Sequence, residues 1–166
     1  FEGVKLLDGN MDFITTGVDS GDIADLKINE VRFGTASSIE ATIETQTIAE
    51  TGTMTWSADG AANTLNAAAT IEVKGNKGVE VFSFGAGTTR DDIVTAVNQA
   101  KDVTGVSAVV DDDLEGGGET GISFASVAYG AKQFVSVEAI DGTFACKDSD
   151  GTAATRDAGV DAEITV

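Results

Sequence analysis

Ile71-Glu72-Val73-Lys74 alternates apolar with charged residues, the period of a strand buried on one face. Gly75-Asn76-Lys77-Gly78 follows as a turn cluster whose two glycines are free to take positive φ. Val79 to Phe84 returns as the second strand of a hairpin. Gly85-Ala86-Gly87 breaks that strand, and Thr88 or Thr89 then caps a helix, with Asp91 or Asp92 at the third position after the cap. Within the helix Ile93, Val97 and Ala100 share one face, with Val94 and Ala96 beside it, as one packing stripe requires. Burying Ile93 and Val97 is worth about 1.5–3 kcal/mol each. Replacement of Arg90 by alanine is expected to be nearly silent. Val106, Ala108 and Val110 alternate as a third strand, and Ile122 to Phe124 and Phe134 to Val137 supply two more. The unit reads as one small sheet carrying one helix.

The flanks extend the same class. Leu26-Lys27-Ile28 begins a strand, and Ile39, Ala41 and Ile43 oppose Glu40, Thr42 and Glu44 as another, half-buried one. Met54 and Trp56 mark a further strand, while Ala58 to Ala69 reads as a loop. Residues 111–121, with three aspartates, two glutamates and four glycines, read as a flexible acidic loop. Thr143 to Lys147 forms a short strand between the turns Asp141-Gly142 and Asp150-Gly151, and Ala162 to Val166 is a strand whose Ile164 and Val166 await a partner. The absence of proline suits extended structure, where proline would remove ladder donors. The expected class is α+β: a β-rich domain with one short amphipathic helix packed on antiparallel sheet.

Composition sets limits on function. A chain of 166 residues with 42% hydrophobic residues can bury about 70% of its unfolded surface and fold. No run of 18 apolar residues exists, so no transmembrane helix is expected. The net charge of −18 repels phosphate backbones and anionic membrane surfaces, which excludes nucleic-acid and membrane partners and gives a solvated exterior. Cys146 is the single cysteine, so no intramolecular disulfide forms; it reads as a small buried hydrophobe.

The usual chemistry finds no footing. Without histidine, the commonest general base and metal ligand are missing. Asp111, Asp112 and Asp113 are adjacent and point to alternating faces, unlike the two carboxylates about 5 to 10 Å apart that glycoside cleavage needs. Asp148-Ser149-Asp150-Gly151 places oxygens as a calcium loop would, yet Thr152 stands where the third ligand belongs and Gly159 where the bidentate glutamate belongs. No Asn-x-Ser/Thr sequon occurs. The chain is therefore read as no enzyme, with no catalytic, cofactor-binding or metal residue assigned. Trp56 and Tyr129 are the two aromatic platforms a glycan would use, and both are read first as structural.

Ile71 to Gly75, then Gly87-Thr88-Thr89-Arg90-Asp91-Asp92-Ile93-Val94-Thr95-Ala96-Val97-Asn98, then Gly105 to Ala108 and Tyr129-Gly130 resemble the flagellin hook IN motif over about 70 residues. The motif occurs in the variable outer region of bacterial flagellins and in the filament-cap protein. Phe1 to Asn10 resembles the flagellin segment that leaves the helical filament core. The resemblance implies a structural, extracellular protein of the motility filament, exported without a cleaved signal. Its parts would be a junction segment at residues 1–25 and an outer domain at 26–166, with the hook-IN-like unit at 70–140. The alternative is a filament-cap or adhesin-like surface module. Flagellins build filaments through long terminal coiled-coil helices, and nothing here sustains such heptads. The chain is thus expected to be an outer portion whose partner subunits are reached through core segments outside it. Alone it should be a monomer that forms no filaments, with any weak association lost when residues after Ala158 are removed.

Overall fold

The computed structural model describes residues 32–42, 44–57, 63–114 and 119–165, together with positions 16 and 28. The chain divides into two units, 1–41 and 42–166. In the first, a turn is closed by the Ala36 N–H donating to the Phe33 carbonyl at 2.9 Å, with Gly34 at φ 59°. The strand expected around Ile39 does not form: residues 38–42 have no regular structure and Ile39 is 54% exposed. Alternation shows that a segment suits an edge; it does not supply the edge. Leu26, Lys27 and Ile43 lie outside the described residues, and Ile28 has no regular structure.

The second unit opens with β1 (Glu44–Thr47) and closes with β10 (Glu163–Thr165), which pair with each other antiparallel. Ile164, read as awaiting a partner, has one in Thr45. Between them lie β2 (Thr53–Ser57), β3 (Ala69–Gly75), β4 (Val79–Phe84), α1 (Arg90–Gln99), α2 (Lys101–Thr104), β5 (Val106–Leu114), β6 (Glu119–Ser126), β7 (Phe134–Asp141), β8 (Cys146–Lys147) and β9 (Arg156–Ala158). The strands build two four-stranded antiparallel sheets, in the orders β5-β6-β2-β8 and β4-β3-β7-β9. The class is strongly β-rich, and the helical part is small.

Two sheets, not one, correct the sequence reading. The hairpin β3–β4 enters one sheet and the hairpin β5–β6 the other, with α1 between them. Period-2 patterning reports which side of a strand is buried, and both hairpins bury one side; it is silent on which leaf each joins. Met54, Trp56, Val106, Ala108, Ile122 and Phe124 of one leaf meet Ile71, Val73, Val135 and Val137 of the other in a single core, into which α1 drives Ile93 and Val97. Trp56 stacks on Phe144 with ring centroids 4.6 Å apart.

Local chemistry accounts for the ends of α1. Thr89 is the N-cap: its Oγ1 accepts the Asp92 N–H at 3.2 Å, and its hydroxyl is 2.7 Å from Asp92 Oδ2. The short α2, absent from the sequence reading, stops at Gly105 in the left-handed region at φ 79°. Gly75 is needed for space and not for positive φ, since a Cβ there would run into the Thr104 carbonyl oxygen. The acidic stretch is also a correction: Asp111 to Leu114 continue β5 and Glu119 to Gly121 begin β6, with Asp111 opposite Gly121 and Leu114 opposite Glu119. Asp112 and Asp113 are exposed, so the ladder carries them without burying charge.

Candidate interaction surface

With no reaction centre in view, the informative geometry is how the sheet edges are finished, because an open edge is where a sheet meets other chains. The β5 edge is sealed by α1. Asn98 Nδ2 donates to the Ala108 carbonyl at 2.8 Å, and Asn98 Oδ1 accepts the Ala108 N–H at 3.0 Å, so one side-chain amide stands in for a neighbouring strand. At the other end of α1, Arg90 is 6% exposed and reaches the same edge. Its Nη1 lies 3.3 Å from the Asp111 carbonyl and 3.4 Å from that of Gly121, and its Nη2 is 3.1 Å from Asp112 Oδ1. Asn98→Ala is expected to cost about 1–3 kcal/mol, the desolvation penalty of unpaired backbone groups, and urea unfolding would measure it.

Arg90 is the residue the sequence reading missed. The sequence reading expects near-silence at Arg90, yet the residue stands three before Ile93 and seven before Val97 on the same helix face, and its guanidinium lies over the β5–β6 hairpin. A signal existed: the acidic run Asp111 to Asp113 is the kind of partner a helix-borne arginine seeks. The segment 63–65 ties down the turn before the helix, with Leu65 N–H to the Thr88 carbonyl at 2.9 Å and Gly87 N–H to the Leu65 carbonyl at 2.7 Å.

The candidates weighed for chemistry fall elsewhere. Asp148 spends one carboxylate oxygen, Oδ1, on the Asp150 and Thr152 N–H groups at 3.1 and 2.8 Å, which fixes a hairpin turn finished by Gly151 at φ 74°. Millimolar calcium is expected to leave Tm within about a degree, whereas binding at a hundredfold excess over Kd would add about 2.7 kcal/mol. Among the described residues no three His, Cys, Asp or Glu side chains gather as a metal site would require. Trp56 is buried, so it offers no platform, while Tyr129 is 69% exposed.

Cys146 is buried, and desolvation pushes its thiol up to about 12 from the ordinary 9.0. Raised above its unfolded value, this group contributes fully to stability below about pH 9 and loses that contribution as pH climbs toward 12. The native chain at pH 8 should therefore resist a thiol reagent that labels the urea-unfolded chain within minutes. Rapid native labelling would contradict the buried position.

Residues 70–126 match the flagellin hook IN motif. The match runs from Thr70 in β3 to Ser126 at the end of β6 and covers 57 of the 166 residues. It therefore spans both hairpins and the helix that seals β5, while Tyr129-Gly130 falls beyond it. The fold is similar to that of the flagellar cap protein FliD from Escherichia coli, domains D1-D2-D3, with a TM-score of 0.51 at 23% identity over 74% of this chain and 39% of that one. FliD from Pseudomonas aeruginosa PAO1 is similar with a TM-score of 0.47 at 17% identity, over 72% of this chain and 51% of that one. The chain thus spans about two fifths to a half of the length of these relatives. No curated protein sequence matches it. The motif is thus one named for flagellins, and the fold is similar to that of a flagellar cap protein. Among the described residues no helix is long and apolar enough to cross a membrane.

Proposed function

We propose that this chain is the surface-exposed outer domain of a flagellin-type subunit of the bacterial flagellar filament, and that its work is structural and not enzymatic. The observation that carries the proposal is the hook IN match over 70–126, whose helix seals the β5 edge and sends Ile93 and Val97 into the core. In this reading residues 1–25 lead in from the filament core and 26–166 form the outer domain, with the hook-IN-like unit at 70–140. Partners are other flagellar subunits, met through the helical core, and no cofactor takes part.

A second reading, the filament cap, is favoured by the fold likeness to the Escherichia coli cap protein. Antibodies raised against the chain and viewed on intact flagella by electron microscopy separate the two. Gold along the whole filament supports the filament subunit, and gold confined to the distal tip supports the cap. Cells whose flagella carry no label at all, while the protein is expressed, would overturn both.

A further inference from the structure

We propose that the free edge of β4 receives residues 38–42 of a second copy of this chain as an added antiparallel strand. Three observations converge on it. The first is the edge. The β5 edge is covered by Asn98 and Arg90, and β8 pairs beyond β2 with Ala153. The outermost β9 has three residues. Among the described strands, β4 is then the long edge with nothing laid along it, six residues from Val79 to Phe84.

Its register shows what it offers. Gly75 N–H donates to the Gly78 carbonyl at 3.0 Å, which makes that pair hydrogen-bonded and leaves Lys74–Val79, Glu72–Val81 and Thr70–Ser83 as the alternate, non-bonded pairs. The N–H and C=O groups of Val79, Val81 and Ser83 therefore point away from β3. Val79 and Val81 are 47% and 49% exposed, an apolar pair on an open edge that a solitary domain has reason to avoid.

The second observation is a strand-patterned segment without a sheet. Ser38-Ile39-Glu40-Ala41-Thr42 alternates as a strand does, is exposed throughout, and pairs with no strand among the described residues. Seated against β4 with Ile39 and Ala41 beside half-buried Phe82 and Phe84, it would lengthen the core row, and Glu40 would fall on the opposite, outward row. The third observation is charge. Lys74 and Lys77 flank the Val79 end of the edge, and α2 brings Lys101 to the same β3–β4 turn, since the Lys77 N–H donates to the Thr104 carbonyl at 3.3 Å. All three lysines are exposed and among the described residues none has an ion pair, in a chain of net charge −18. A strand from a chain of net acidic charge is the complement they select, Glu40 itself falling opposite Ser83. A second copy provides one while its own β4 stays open, so the contact is heterologous and repeats from copy to copy, a weak self-association in place of the monomer expected from the sequence.

The test titrates a synthetic peptide of residues 36–45 into the isotope-labelled chain and follows backbone amides by NMR. The amides of Val79, Val81 and Ser83 should move and gain protection from hydrogen exchange, and a peptide of the same composition in scrambled order should bind at least tenfold more weakly. No movement of those amides at millimolar peptide would overturn the proposal. A second experiment distinguishes copies: chains carrying Glu40→Cys are mixed with chains carrying Ser83→Cys, the residue opposite in this register, and oxidised, the buried Cys146 staying out of reach. A mixed disulfide dimer is expected. If the doubly substituted chain at high dilution instead closes on itself, the strand comes from the same chain and the proposal fails.

Discussion

Ile93→Asp is expected to abolish cooperative folding of residues 42–166. Ile93 is 0% exposed in the core shared by both sheets. The substitution forfeits about 1.5–3 kcal/mol of apolar burial. It also places a carboxylate in an apolar core, and a buried charge costs several kcal/mol more. The sum rivals the ~5–15 kcal/mol by which a whole domain is stable. Thr95→Asp, on the exposed side of the same helix, should leave the melting curve nearly unchanged. Circular dichroism melts of both variants decide the matter. If Ile93→Asp melts within about 5 °C of the parent, roughly a 1 kcal/mol loss, α1 does not pack as described.

Arg90→Ala is expected to cost about 2–4 kcal/mol, against the near-silence expected from the sequence reading. Truncation leaves the Asp111 and Gly121 carbonyls without the donor that covers them and opens a void beside the β5–β6 hairpin. The ion pair itself is a small part: the Asp112 side chain is 77% exposed, and pairs in contact with water contribute about 0–1 kcal/mol. Asp112→Asn should therefore cost under about 1 kcal/mol, and Arg90→Ala should exceed it severalfold in urea unfolding. Equal losses would mean that the charge pair, and not the covered edge, holds the arginine in place. Arg90 Nε already lacks an acceptor, so a part of the guanidinium's desolvation is uncompensated in the native chain.

Much of this fold could be read from local patterns. Ile71 and Val73, Val106 and Ala108, and Ile122 and Phe124 lie on inner rows as their alternation predicted, and Thr89 caps α1 as its spacing to Asp92 predicted. These features depend on neighbours a few residues away. What escaped depends on distant partners. Nothing near Arg90 in sequence announces the carbonyl of Gly121, and nothing in Asp111-Asp112-Asp113 shows that the chain beyond them will return to hold them in a ladder. Ile39 and Ala41 show the converse, a local strand signal that no distant partner fulfils within the described structure. For the interaction surface the sequence offered the valines, the lysines and the acidic segment separately; the edge that gathers them exists once the order of strands is known.

The pairing of β1 with β10 has a mechanical meaning. Their backbones lie side by side, about 4.8 Å apart as neighbouring strands do, with Glu44 opposite Thr165. The polypeptide thus enters and leaves the sandwich through one narrow stalk, in the manner of a pendant on a looped cord. Tension carried along the chain crosses from one strand of the stalk to the other and does not run through the sheets. It opens the stalk one bond at a time before the core feels any load. In the proposed filament role, fluid drag would therefore load this one strand pair before it reached the core.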